Sequence, residues 1–111
     1  MAREQLQTLS EPMYYILLAL LKPMHGYEIM QTVAVISKDR VKVGAGTLYA
    51  LLTRFEKDKI ISHVSDDGRR KIYRLEDKGR ELLYKEYNRM QESLGAYNDY
   101  VQTLAKEEKG E

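Results

Sequence analysis

Apolar residues near the N-terminus recur at helical spacing. Met13, Ile16, Leu17, Leu20 and Leu21 form one face of a first helix. Ser10 is placed to cap it and Pro12 suits its first turn, where a missing N–H costs nothing. Lys22-Pro23 ends it, because a residue before proline disfavours the helical region. A second helix is predicted over about residues 26–38, with Tyr27, Ile29, Met30 and Val33 as core contacts. Residues 39–44 read as a polar, basic linker that includes Lys42. A third helix follows over about residues 46–58. Leu48, Leu51, Leu52 and Phe55 hold its core face at the i, i+3, i+4, i+7 offsets. Residues 60–65 then read as a strand, Asp66-Asp67-Gly68 as a turn, and residues 69–75 as the returning strand. Three helices and a hairpin in this order predict a winged helix-turn-helix over residues 1–76. The fold class is mainly α with a small β-hairpin.

The last segment is the most regular. Leu83, Tyr87, Met90, Leu94, Tyr97, Val101 and Leu104 are spaced 4, 3, 4, 3, 4, 3, an unbroken heptad seam. A helix over residues 77–106 would be on the order of 45 Å long at about 1.5 Å per residue. It would overhang a domain of this size. Its apolar seam is most economically covered by a second copy, so residues 77–111 are predicted to be a dimerisation helix with a short charged tail. Gly95 weakens this helix and can mark a bend.

Composition narrows the function classes. Apolar residues make up 43% and charged residues 32% of 111, as expected of one folded domain. With no cysteine there is no disulfide framework, thiol nucleophile or cysteine-based metal site. The longest apolar stretch, residues 14–21, is too short to span a membrane, and the expected location is cytoplasmic. The net charge of +1 is unevenly spread, with +4 on residues 1–75 and −3 on residues 76–111. This separates a polyanion-facing region from an assembly region. His25 and His63 lack neighbours at metal-ligand spacing, no serine has a triad partner set, and Gly44-Ala45-Gly46 lacks a phosphate-loop lysine. An enzyme is therefore not expected, nor a metal or cofactor.

The chemistry that remains is nucleic-acid binding. Arg69, Arg70, Lys71 and Arg74 place four cations in six hairpin residues, interleaved with Tyr73. The exposed face of the third helix begins with the small residues Ala45, Gly46 and Thr47, has Tyr49 on its flank, and continues through Thr53, Arg54 and Lys57. In a helix-turn-helix the N-terminal residues of the second helix of the pair meet base edges in the major groove. Small residues there let the backbone approach. Thr47 can bond a base or phosphate and offers a methyl to thymine, while Arg54 and Lys57 suit phosphates. The competing use of the same surface is a winged-helix protein–protein interaction module without sequence-specific DNA binding.

Three stretches carry a resemblance. His25-Gly26-Tyr27-Glu28-Ile29 resembles the HGYEI signature of the PadR family of bacterial transcriptional regulators. Gly46-Thr47-Leu48-Tyr49, with Leu51-Leu52, Arg54 and Glu56, is similar to that family's recognition helix, and residues 69–75 with Gly79 are similar to its wing. The resemblance covers about residues 12–82. The single C-terminal helix is like that of the compact subgroup, which dimerises through it. The resemblance implies a repressor that binds an inverted-repeat operator, often with ATGT and ACAT half-sites. It also implies release by a small aromatic or cationic amphiphilic effector. In the compact subgroup the first and last helices line the effector cavity at the dimer interface, which points to Tyr14, Tyr15, Met90 and Tyr97. Lys59 stands where the family usually ends the helix with glycine, so a left-handed residue there would be strained. Glu76 replaces a usual threonine, leaving Asp77 as the expected cap of the long helix. Stacking of flat drugs on tryptophan is not open to a chain without tryptophan.

Overall fold

The computed structural model describes residues 8–66 and 70–110. The elements are α1 (Glu11–Ala19), β1 (Met24–His25), α2 (Gly26–Ile36), α3 (Ala45–Lys57), β2 (Ile61–Asp66), β3 (Arg70–Leu75) and α4 (Asp77–Glu108). Three strands form one antiparallel sheet in the order β1-β3-β2. The hairpin register pairs Ile61 with Leu75 and His63 with Tyr73. The short β1, which lays Met24 and His25 against Tyr73 and Ile72, was not expected from the sequence. Two residues carry no readable alternation, and only the sheet partner defines them.

Ile16, Leu17 and Leu20 of the first helical region meet Ile29, Val33, Leu48, Leu52 and Phe55 in one core closed by Ile60, Ile61 and Leu75. The Ser10 hydroxyl accepts the Met13 amide at 3.4 Å, so the expected cap of α1 is present. The α2–α3 connection is more ordered than a polar linker. Val41 and Val43 are buried on either side of exposed Lys42. Buried Ser37 holds this turn: its hydroxyl accepts the Val41 amide at 3.0 Å. That fixes the angle at which α3 leaves α2.

The end of α3 takes the strained form. Lys59 has φ of 61°, while its amide donates to Glu56 O at 3.0 Å and the Ile60 amide to Phe55 O at 2.8 Å. These two bonds make a Schellman cap with lysine at the left-handed position. Glycine adopts that conformation without the Cβ clash, so Lys59→Gly is expected to stabilise the chain by about 0.5–1 kcal/mol. A rise in the urea midpoint with an unchanged slope would show it; a fall would contradict it.

At the start of α4 the expectation fails. Asp77 is the first helical residue, and Glu76 stands at the cap with no side-chain bond to the helix. The Glu76 carboxylate instead accepts the Ser62 hydroxyl and lies 3.8 Å from Arg74 Nε. Strand neighbours therefore compete successfully for it. Leu82 and Leu83 on the first turns of α4 pack into the core. Leu83 is thus satisfied within its own chain, and the exposed part of the predicted seam begins at Tyr87. From there α4 projects beyond the domain in a molecule measuring 69 × 37 × 21 Å. Tyr87, Leu94, Tyr97, Val101 and Leu104 are 39–70% exposed along it. No helix among the described residues is long and apolar enough to cross a membrane.

Candidate nucleic-acid interface

The N-terminal end of α3 is bare. Gly44 stands at its cap without a side-chain bond, no acidic residue occupies the first turn, and Arg54 and Lys57 occupy the last. Ala45, Gly46 and Thr47 are exposed. A Cβ built at Gly46 would meet nothing within 4 Å, so the chain's own packing does not require a small residue there. Thr53 is exposed, but its hydroxyl donates back to Tyr49 O at 2.9 Å. Arg54 is half-buried, with its Nε 3.9 Å from the Asp58 carboxylate, which directs it partly along its own helix. Lys57 and Lys42 are exposed.

Tyr49 is half-exposed and leans over the start of α2. A Cβ added at Gly26 would lie 2.3 Å from the Tyr49 hydroxyl and 2.7 Å from the ring carbon that bears it. Gly26 is therefore required by close approach of the α3 phenol. Tyr49, Arg70 and Lys71 line one open cleft of about 390 Å³, joined by His25, Gly26 and Tyr27 from the α2 start and by Tyr73. The flank of α3 and the wing thus converge. The contribution of His25 and Tyr27 was missed. Their motif was visible, but nothing in its spacing places it beside the wing.

Tyr73 corrects an expectation. It is 4% exposed, and its ring packs 5.8 Å from that of His63 across the hairpin. On an alternating strand, Lys71, Tyr73 and Leu75 share the face turned toward the helices. Tyr73 is a support of the wing rather than an exposed contact. Burial, with a lesser effect of the Glu56 carboxylate, raises its phenol above the ordinary value. Glu56 also bonds the His63 ring, tying α3 to β2. Arg74 lies on the opposite face, where its Nε donates to the Ser62 hydroxyl at 3.2 Å. Arg69 lies outside the described residues.

The His25 amide donates to Glu28 at 3.0 Å, and the ring Nδ1 lies 2.9 Å from the same carboxylate oxygen. The amide first, then the ring, hold the Glu28 carboxyl below the usual carboxylate range. That bond fixes the extended residue leading into α2.

A second cleft, of about 270 Å³, lies between α1 and α4. Tyr14, Tyr15 and Met90 line it with Glu86 and Arg89, whereas Tyr97 lies farther along α4 and outside it. The Tyr14 and Tyr15 rings meet edge to face at 5.7 Å. Glu86 is buried and bonded to Arg89 at 2.5 Å. Burial is the main cause of a raised Tyr14 phenol, with Tyr15, Tyr87 and Glu86 adding to it. Among the described residues no group of three His, Asp or Glu is placed to hold a metal ion.

The transcriptional regulator PadR-like family model matches residues 16–85. The chain is 32% identical to a PadR-like transcription factor of known structure from Bacteroides fragilis, with a TM-score of 0.56, covering 82% of this chain and 86% of that one. It is 37% identical over 70 residues to protein X of Lysinibacillus sphaericus, covering 60% of this chain and 64% of the relative. It is also 35% identical over 68 residues to a 37.1 kDa protein in transposon TN4556 of Streptomyces fradiae, covering 61% of this chain but only 19% of that relative. The chain thus spans less than two thirds of the length of these two curated relatives.

Proposed function

Because the chain belongs to the PadR-like family of transcriptional regulators, we propose that it is a repressor that binds an inverted-repeat operator as a homodimer and is released by a small aromatic or amphiphilic effector. The observation that carries the DNA reading is the bare, small-residue end of α3 standing beside the wing cations. Its first amides have no side-chain cap and can meet a phosphate or base edge. Thr47 adds a hydroxyl at the same end, Tyr49 stands on the flank beside it, and Arg70 and Lys71 add charge from the wing. PadR-family regulators are DNA-binding proteins rather than enzymes, which agrees with this assignment of the surface.

The dimer forms along α4 through Tyr87, Leu94, Tyr97, Val101 and Leu104, with Met90 at the margin. Two α3 helices must then sit about 34–36 Å apart to enter successive major grooves on one side of a duplex. The cleft of Tyr14, Tyr15 and Met90 lies between α1 and the helix that sets this spacing. An aromatic ligand held there displaces DNA only if it binds the DNA-incompetent dimer more tightly.

Tyr49→Ala and Arg70→Ala are both expected to weaken binding to a duplex selected from the protein's own promoter region. The Arg70 change should also reduce the salt slope by about 0.9. A fluorescence-anisotropy titration over several salt concentrations measures both. Unchanged binding in both variants, or capture only of a bait protein, would favour the protein-interaction use of this surface.

A further inference from the structure

The cleft between α2, α3 and the wing belongs to no base-reading role, because its polar groups stand beside the α3 tip rather than on it. Tyr27 enters from the start of α2, Tyr49 from the flank of α3, and Arg70 and Lys71 from β3. Tyr27, expected from the sequence as a core contact, is instead 66% exposed, because it stands at the start of α2 on the face turned to the cleft. The Tyr49 hydroxyl is held over Gly26, so it is directed toward α2 and away from the end of its own helix. Among the described residues, the walls of this open cleft of about 390 Å³ carry the Tyr27 and Tyr49 hydroxyls, each able to donate to an incoming oxygen, and the Lys71 ammonium. Among the described residues no Asp or Glu lines that cleft. The tetrahedral oxygens of a phosphoryl group match such a donor set, and the Lys71 ammonium offsets part of their charge.

Resting on the DNA-binding reading above, we propose that this cleft seats a single backbone phosphate in each half-site, gripped by Tyr27, Tyr49 and Lys71. The contact sets the register of α3 in the groove. Tyr49 is then a positioning residue rather than a reader of bases, and Tyr27 is a DNA contact. Three separate elements converge on one phosphate, so the depth and rotation of α3 are fixed before its tip meets a base. A free phosphate or phosphorylated metabolite offers the same oxygens, and competition between inorganic phosphate and the duplex distinguishes the two sources.

The test uses the full chain and the tightest duplex that the wild-type protein selects from randomised DNA. Tyr27→Phe removes a hydroxyl and no charge. It is expected to lower affinity about 5- to 10-fold at every salt concentration with an unchanged salt slope. Lys71→Ala is expected to lower the slope by about 0.9. A scan of neutral methylphosphonate substitutions should find one position per half-site at which both variants bind as well as the wild type. Losses that persist at every substituted position would overturn the seat, because a role in packing does not depend on one phosphate. Saturable binding of inorganic phosphate that competes with no duplex would also overturn it. Failure of the wild type to select any duplex would instead remove the DNA reading on which the proposal rests.

Discussion

Glutamate at both Leu94 and Val101 is expected to convert the proposed dimer to monomers and to lower operator affinity at least about 100-fold. The two side chains are 69% and 45% exposed on the projecting part of α4. They contribute little to the fold of a single chain, so the variant should keep its helical content. In a self-complementary interface each substitution appears twice, and four carboxylates would be forced into an apolar seam. A buried unpaired charge costs several kcal/mol, and four of them together offset what the remaining apolar seam recovers. The loss of DNA affinity follows from geometry rather than from any lost DNA contact. One chain engages one half-site, and the gain from linking two sites disappears. Sedimentation velocity and anisotropy on the same sample measure both effects. A variant that stays dimeric would place the interface elsewhere.

Gly79→Ala is expected to destabilise the chain by about 2–4 kcal/mol, although alanine is the better helix former by about 1 kcal/mol. A Cβ at this position would lie 2.3 Å from Ile60 O, 3.1 Å from Leu75 Cδ2 and 3.2 Å from Ile60 Cγ2. The nearest atom is backbone. It cannot rotate away, and it already accepts the Glu76 amide at 2.9 Å. The base of α4 must therefore lift from the end of α3. Lys78, one residue earlier, donates its ammonium to Asp58 O at 2.9 Å, so the same shift removes a bond that caps α3. Urea denaturation reads the stability. A midpoint equal to or above that of the wild type would show that the contact is not as close as the structure places it. The functional consequence is angular: the joint that Gly79 closes sets α4 relative to α3 within each chain.

Much of this was legible in the sequence, and what was hidden has a physical reason. Leu48, Leu52 and Phe55 announce α3 because a one-sided helix must repeat its apolar residues every three or four positions. The seam of α4 is legible for the same reason. Position along the seam does not say which copy buries a residue. Leu83 falls in register with Leu94, yet the first turns of α4 lie against their own domain. Tyr73 reads as an aromatic among cations, but strand alternation turns it inward with Leu75 and leaves Arg74 on the other face. Val41 and Val43 sit in a stretch that reads as basic linker, and only the anchoring by Ser37 shows that they are core. The cleft joining His25 and Tyr27 to Lys71 brings together residues more than forty positions apart. Helical or strand periodicity describes neighbours within an element and is silent on that meeting. At Lys59 the family resemblance marked a left-handed residue only as one that would be strained, and the chain adopts that conformation with lysine in place.

The central claim is that two copies joined along α4 present two α3 helices to one face of a duplex. Hydroxyl-radical footprinting of the selected duplex measures this directly. Two protected patches of equal strength, centred about one helical turn or a whole multiple of it apart and related by a two-fold axis, are expected. A single patch, or protection spread evenly along the duplex, would contradict it.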